Sequence, residues 1–158
     1  MELYAATLIW KRGDQPFTDK RYSRVHLWQF DGGVTVPASS SPLTVPLPLS
    51  SAVAVDPEEA FVAALASCHM LWFLALAAKR GFRIDLYTDN PEGIMDKNAD
   101  GKTAITRVTL HPEAIFSGDP APSRADIEQM HNDAHDRCFI ANSIRSEVAI
   151  EPVFDGPA

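Results

Sequence analysis

The chain has 158 residues, of which 46% are hydrophobic and 22% charged, a composition that is ordinary for a soluble globular protein. A formal net charge of −7, with basic residues scattered along the chain, argues against nucleic acid as a partner, because phosphate backbones are bound by clustered Lys and Arg. The first residues lack the basic-then-apolar order of a secretory signal. We therefore expect a single cytoplasmic domain over residues 1–158.

Three strands are predicted in the first quarter of the chain. Residues 2–12 and 22–33 contain apolar residues in strand-like patterns and are separated by a polar loop. The turn at 31–33 then leads into a short third strand at residues 34–39. Between Pro37 and Pro57 the chain is rich in proline, which removes backbone donors, so we expect an extended, ordered coil that lies near the functional site.

A long helix follows, with clear signals at both ends. Asp56 and Glu59 have capping-box spacing around Pro57, and Gly81 suits a left-handed C-cap. The segment has the length of a membrane span, but Cys68 and other polar residues lie at its centre and strands flank it, which favours a core helix. Because the helix is apolar on every face, we expect a second subunit to cover part of it.

The second half of the chain predicts a hairpin, a helix and a strand. Residues 83–98 and 102–116 read as two long strands that turn at 98–101. Residues 123–138 form an amphipathic helix with a capping box at Ser123 and Asp126, and residues 143–154 form a last alternating strand. The predicted order is βββ–α–ββ–α–β, an α+β fold.

Cys68 poses a chemical question, because a thiol in an apolar helix resists ionisation and is ordinarily an inert core residue. A functional thiolate requires a cation nearby. His69 points about 100° away around the helix and is a poor partner. An arginine from another element is a better one, and our first choice is Arg24, on a strand face that mixes charged and aromatic residues, with Arg21 and Arg12 as alternatives.

Two acidic residues open the same helix. Glu58 and Glu59 are explained by capping and by the helix dipole, which contribute up to about 1 kcal/mol. The alternative is that one of them orients the arginine. On a straight helix Glu58 lies about 15 Å from Cys68, at 1.5 Å per residue, so any link between the two runs through a long arginine or a kinked helix.

A second group of candidate residues lies on the later helix. His131, His135 and Cys138 share one helix face, and together with Cys68 they would make a Cys2His2 set suited to zinc. The simpler interpretation is a solvated helix face with partly exposed histidines, and we predict no bound metal. The sequence thus leaves open a non-enzymatic alternative, a Cys/His metal-binding or redox-sensing protein.

Two segments resemble the OsmC/Ohr family of organic hydroperoxide reductases: "DPEEAFVAALASCHM" and, seventy residues later, "CFIANSIRSEV". The first resembles the family's Asn/Asp-Pro-Glu-Glu opening, with a cysteine ten residues after the first Glu. The second is similar to the stretch around the family's resolving cysteine. With the order of predicted elements, the resemblance covers roughly residues 2–153.

The resemblance implies an intertwined homodimer in which strands of both chains wrap around two buried central helices. It also implies a peroxidase without a cofactor. Cys68 would attack an organic hydroperoxide as a thiolate and become a sulfenic acid, and Cys138 would condense with it to form a disulfide. An external dithiol, a lipoylated protein in some relatives, would reduce the disulfide.

The same resemblance implies that Glu58 bonds an arginine that holds the thiolate. Some relatives carry this arginine in the loop ahead of the helix, but residues 34–57 contain no arginine here. Others carry it in the N-terminal hairpin, which favours Arg24 and keeps Arg21 and Arg12 as alternatives. The apolar helix and the segment "PLTVPLPL" would line an entrance suited to an alkyl or fatty peroxide.

Overall fold

The computed structural model describes residues 1–154 and divides into two units, one spanning Met1–Ala60 and one beginning at Phe61. Along the chain come three strands, a long helix, four strands, a second helix, a short 3-10 turn and a last strand. The predicted α+β class is confirmed. The assignment of 1–158 to a single domain stays a prediction, and its last four residues lie outside the described residues.

The first unit contains an antiparallel sheet of three short strands, β1 (Ala6–Ile9), β2 (His26–Phe30) and β3 (Thr35–Ala38), in the order β1-β2-β3. β1 and β2 are shorter than predicted. The residues between them form a loop in which the rings of Trp10, Phe17 and Tyr22 pack together, with centroids 4.7–5.7 Å apart. Trp10 and Tyr22, which were predicted to lie on strands, therefore stabilise the loop instead.

The proline-rich segment between β3 and the long helix has no helix or strand of its own, as predicted. It folds through a series of turns rather than running extended. Ser39 and Val55 are joined by a backbone hydrogen bond, and the Ser39 hydroxyl accepts a bond from the Ser51 amide. Its position near a functional site stays a prediction.

The long helix, α1, spans Pro57–Lys79 and has the predicted ends. The Asp56 amide donates to the Glu59 carboxylate at 2.9 Å, and the Glu59 amide donates to the Asp56 carboxylate at 2.8 Å, which completes a capping box. Gly81 has φ +80°, the left-handed conformation expected of a C-cap glycine. By length and composition α1 could cross a membrane, but its buried face packs into the protein core.

The prediction of a hairpin with two long strands is wrong in the number of strands, because each predicted strand is divided into two shorter ones. β4 (Arg83–Asp89) pairs with β7 (Pro112–Ser117), and β5 (Glu92–Lys97) pairs with β6 (Thr103–Leu110), all antiparallel. Pro91 and Pro112 lie at the two breaks and have no amide hydrogen for a continuous ladder. The Asp89 carboxylate accepts the His111 amide at 2.8 Å and so links the two breaks.

The second helix, α2, spans Arg124–Arg137 and is followed by a 3-10 turn at Ala141–Ser143 and by β8 (Glu147–Ile150), which pairs in parallel with β6. The predicted capping box of α2, at Ser123 and Asp126, is present.

Two clusters of buried side chains form the core of the second unit. Cluster 1 contains Leu65, Ala66, Val108, Leu110 and Cys138. Cluster 2 joins α1 to α2 and contains Phe73, Leu76, Ala77, Met130 and Ala134.

Candidate active site

The two cysteines meet in the second unit. Cys68 lies in the middle of α1, and Cys138 is the C-cap residue of α2. Cys138 is fully buried in cluster 1, while Cys68 is half-buried and packs against the same cluster. The Cys68 thiol lies near enough to Cys138 to raise its pKa, and neither cysteine is in a disulfide. The fold therefore brings two distant positions of the chain into the starting arrangement for a disulfide.

Cys138 is held as a neutral thiol. Burial raises its pKa to about 11, and the nearby Cys68 thiol contributes in the same direction. The Ala141 amide donates to the Cys138 sulfur at 3.4 Å, which opposes the shift only in part. A position at the C-terminal end of a helix also disfavours a negative charge. Cys138 is therefore poorly suited to be the first nucleophile of a reaction.

Aromatic side chains that the sequence analysis did not identify lie beside the thiols. Trp72, one turn after Cys68, contacts the edge of Phe139, with ring centroids 5.6 Å apart. The Arg137 guanidinium lies 5.9 Å from the centre of the Trp72 ring. The only available signal was sequence proximity, since each of these residues lies within a turn of a cysteine. Phe139 is 68% exposed, so one side of this site presents apolar surface.

Glu58 and Glu59 differ in their roles. Glu59 forms the capping box with Asp56, so the capping role that was predicted for the acidic pair is filled by Glu59. Glu58 is half-buried in the first turn of α1 and takes no part in that box. A bond between Glu58 and an arginine stays a prediction.

Arg24 does not lie on a strand, because β2 begins at His26, and that part of the prediction is wrong. Its guanidinium donates to the carbonyl oxygens of Lys20 and Tyr22 and lies 3.9 Å from the centre of the Tyr22 ring. These contacts hold it within the loop of the first unit. Arg12 donates to the Gln15 carbonyl in the same loop. The choice among Arg24, Arg21 and Arg12 stays a prediction.

The histidines form a pair that the sequence did not suggest. Nε2 of His69 lies 3.0 Å from Nδ1 of His131, and the two side chains are only 1% and 2% exposed. Phe73 stacks on His131 with centroids 4.1 Å apart. His135 is half-buried, but the expectation of a solvated position is wrong for His131, because it flanks Met130 and Ala134, which pack on α1.

The four residues considered for zinc do not converge on one point. Cys68 lies beside Cys138, His131 bonds His69, a residue outside the proposed set, and His135 takes part in neither contact. Within residues 1–154, no three His, Cys, Asp or Glu side chains come together as a metal would require. Burial lowers the pKa of His69 to about 4 and that of His131 to about 3, so both rings are neutral at physiological pH.

A cavity of about 600 Å³ adjoins cluster 1. Phe61, Ile105 and Ile144 line it and also pack against cluster 1, which contains Cys138. Lys97 and Arg145 add positive charge to its wall. Its volume is within the range of small-molecule sites, and its walls are partly apolar.

Comparisons with known proteins agree on one family. Residues 50–153 match the family model described as OsmC-like protein. A solved OsmC-like protein of unknown function from Vibrio cholerae is 52% identical, with a TM-score of 0.95, over 97% of this chain and 100% of that chain. No curated protein sequence matches the chain significantly.

More distant structures share the fold. An organic hydroperoxide resistance protein from Bacillus subtilis is 19% identical, with a TM-score of 0.64, over 96% of this chain and 98% of that chain. One from Elizabethkingia anophelis is 14% identical, with a TM-score of 0.69, over 96% of this chain and 94% of that chain. The family model and the Vibrio cholerae relative identify the present chain: it belongs to the OsmC family.

Proposed function

We propose that the protein is a thiol-dependent peroxidase that reduces organic hydroperoxides, with Cys68 as the peroxidatic and Cys138 as the resolving cysteine. The observation that carries the proposal is the proximity of these two cysteines, because Cys68 packs against cluster 1, which contains Cys138, and raises the pKa of Cys138. Two structures with the same fold are organic hydroperoxide resistance proteins, which supports this chemistry over an inert cysteine pair.

In the first step, the Cys68 thiolate attacks the terminal oxygen of the hydroperoxide. A sulfur–oxygen bond forms, the oxygen–oxygen bond breaks, and the organic fragment leaves as an alkoxide that takes up a proton to become an alcohol. Cys68 is assigned this role because it is less buried than Cys138. Arg24, oriented by Glu58, is proposed to hold the thiolate and the leaving oxygen.

In the second step, the Cys138 thiol attacks the sulfur of the Cys68 sulfenic acid. The disulfide forms, the sulfur–oxygen bond breaks, and the hydroxyl leaves as water with the thiol proton. The existing contact between the residues shortens the path to this product. An external dithiol, such as a lipoylated protein, then reduces the disulfide by thiol exchange.

Organic rather than small polar peroxides are the proposed substrates. The cavity beside cluster 1 offers an apolar wall of Phe61, Ile105 and Ile144, and Trp72 and Phe139 add apolar surface near the thiols. Burying an alkyl group on such surfaces contributes about 25 cal/mol per Å² of apolar area, which hydrogen peroxide cannot gain. We propose that the enzyme acts in the cytoplasm as a homodimer.

The test is a stopped-flow comparison of cumene hydroperoxide and hydrogen peroxide, with dihydrolipoamide as the reductant. The proposal predicts turnover with both, and a higher kcat/KM for cumene hydroperoxide. Oxidation of the cysteine pair without turnover under any dithiol would instead favour the redox-sensing alternative. Equimolar bound zinc with no peroxide consumption would favour a metal-binding protein.

A further inference from the structure

The His69–His131 pair lies between the two helices that carry the cysteines. His69 is adjacent to Cys68 on α1, and His131 lies two turns before Cys138 on α2. The pair lies beside the apolar cluster 2, whose Phe73 stacks on His131. The contact between α1 and α2 therefore contains two polar pairs, one of thiols and one of imidazoles, in largely apolar surroundings.

The hydrogen bonding of the pair is satisfied best when both rings are neutral. Nδ1 of His69 is buried and has no partner, so it is better placed as a bare acceptor than as an N–H donor. Nε2 of His69 then donates to Nδ1 of His131 across 3.0 Å. A proton added to Nδ1 of His131 would place two N–H donors opposite each other with no acceptor between them. A proton added to Nδ1 of His69 would bury an N–H donor that has no acceptor.

The surroundings of the pair are largely apolar, and a carboxylate on β7, that of Glu113, lines the same cavity as His131. Phe73 stacks on His131, and the charge of the nearby His135 would add repulsion to a protonated His69. On β4, the Tyr87 ring lies against Phe73, with ring centroids 5.6 Å apart. Arg80, the residue after α1, forms an ion pair with Asp133 on α2 that involves neither histidine.

We propose that His69 and His131 form a pH-sensitive positioning pair that holds α2 on α1 and keeps Cys138 against Cys68. A proton on His131 removes the hydrogen bond, and a proton on His69 buries an N–H group without an acceptor. Either change favours separation of the C-terminal end of α2 from α1. The catalytic consequence rests on the proposed function. In mild acid the disulfide-forming step slows, while the first attack by Cys68 continues, so that the sulfenic acid accumulates.

The ordinary pKa of histidine sets the size of the effect. An imidazole released into water has a pKa of about 6.5, which is higher than the pKa of either ring when packed between the helices. Each pH unit below about 6.5 therefore favours release about tenfold per histidine and about 100-fold for the pair, until the packed rings themselves titrate.

The release of Cys138 can be measured without any peroxide chemistry, in a Cys68→Ser background. The buried Cys138 reacts with 4,4′-dithiodipyridine only after it is exposed, and the released thiopyridone reports the rate. The same protein carrying His131→Gln keeps a neutral hydrogen-bonding side chain that cannot titrate. His111→Gln is the control, because His111 lies on the β6–β7 corner, where its amide donates to Asp89 and its ring lies 3.8 Å from the Glu151 carboxylate, and neither contact involves the His69–His131 pair.

As the pH falls from about 6.5 to about 5, the labelling rate of the Cys68→Ser protein should rise relative to that of the same protein carrying His131→Gln. The ratio of the two rates should increase about tenfold per pH unit. The ratio to His111→Gln should stay constant, and about 1 M urea should change the rate little, as expected of a local opening. If His131→Gln does not fold, His69→Gln takes its place with the same expectation. A ratio to His131→Gln or His69→Gln that does not change with pH would overturn the proposal. So would a urea response as steep as that of global unfolding. Because this assay involves no peroxide, its outcome is independent of whether the peroxidase proposal holds.

Discussion

Cys68 and Cys138 touch, yet their surroundings suit them to different steps. Cys138 is fully buried at the end of a helix, and its raised pKa keeps it protonated near neutral pH. Cys68 is half-buried within a helix turn that also carries Trp72. The more accessible thiol can meet a substrate first, whereas the buried thiol needs only to reach its neighbour.

At the same scale, the choice of arginine is open to test. Arg24→Met removes the charge but keeps the side-chain length, and it should slow sulfenic acid formation at least about tenfold, since a contacting cation typically favours a thiolate by one to three pKa units. Arg12→Met and Arg21→Met, in the same loop, are the matched controls and should change the rate by less than about twofold. Stopped-flow measurement of the first turnover checks this. An effect confined to either control would move the role to that residue.

Residue identities could be predicted from the sequence where the signal is local. The positions of Cys68 and Cys138 follow from the segments that resemble the OsmC/Ohr family. The burial of His131 could not be predicted, because it depends on how α2 is rotated against α1, and four-residue spacing with His135 indicates a shared face without saying what covers it. The same holds for the contact of Trp72 with Phe139.

At the scale of elements, both helix starts were predictable, since a capping box is a contact within four residues. Ser123 and Asp126 form such a box at the start of α2, and the bond from Ser123 lowers the pKa of Asp126. Ser123→Ala should lower the free energy of unfolding by about 1 kcal/mol. Urea unfolding monitored by circular dichroism measures this loss. Ser123→Thr should recover most of it, and equal losses in the two variants would show that the cap contributes nothing.

The strands were harder to predict, because pairing partners are set by contacts far apart in the chain. The break at Asp89 and His111 depends on a hydrogen bond between two arms of the hairpin. The parallel pairing of β8 with β6 leaves no local signature at all. Alternating patterns therefore gave the location of strands but not their number or order.

The packing of α2 on α1 should make stability depend on pH. The pKa of His69 and that of His131 are lowered on folding, so the unfolded chain binds protons more readily. Their contribution is complete above about pH 6.5 and is lost as the pH falls, by about 1.4 kcal/mol per pH unit for each ring. From pH 7.5 to 5.5, urea unfolding should therefore show a loss of about 2–3 kcal/mol. A His69→Gln/His131→Gln variant should lose much less, and an equal loss would assign the effect to other groups.

At the scale of the whole molecule, α1 leaves an apolar stripe uncovered in the single chain. Its exposed positions are mostly small, with Leu71 at the centre 60% exposed: Ala63, Ala64, Ser67, Leu71, Ala75 and Ala78. Small side chains allow close approach of a second helix, and exposed apolar surface favours association. These features support the proposed homodimer.

Sedimentation tests the assembly. The protein should sediment as a dimer at micromolar concentration, and Leu71→Lys should weaken association by placing a charge on the stripe. Leu3→Lys, at a position 90% exposed near the N-terminus, is the matched control and should leave the dimer intact. A compact wild-type monomer at that concentration would contradict the homodimer.

The central claim is the division of labour between the two cysteines, and mass spectrometry after one equivalent of cumene hydroperoxide tests it most directly. The wild type should lose two hydrogens as the disulfide forms, Cys138→Ser should gain one oxygen on Cys68, and Cys68→Ser should stay unmodified. If Cys138→Ser remains unmodified while the wild type consumes peroxide, the roles are reversed. If neither reacts, the protein is not a cysteine-based peroxidase.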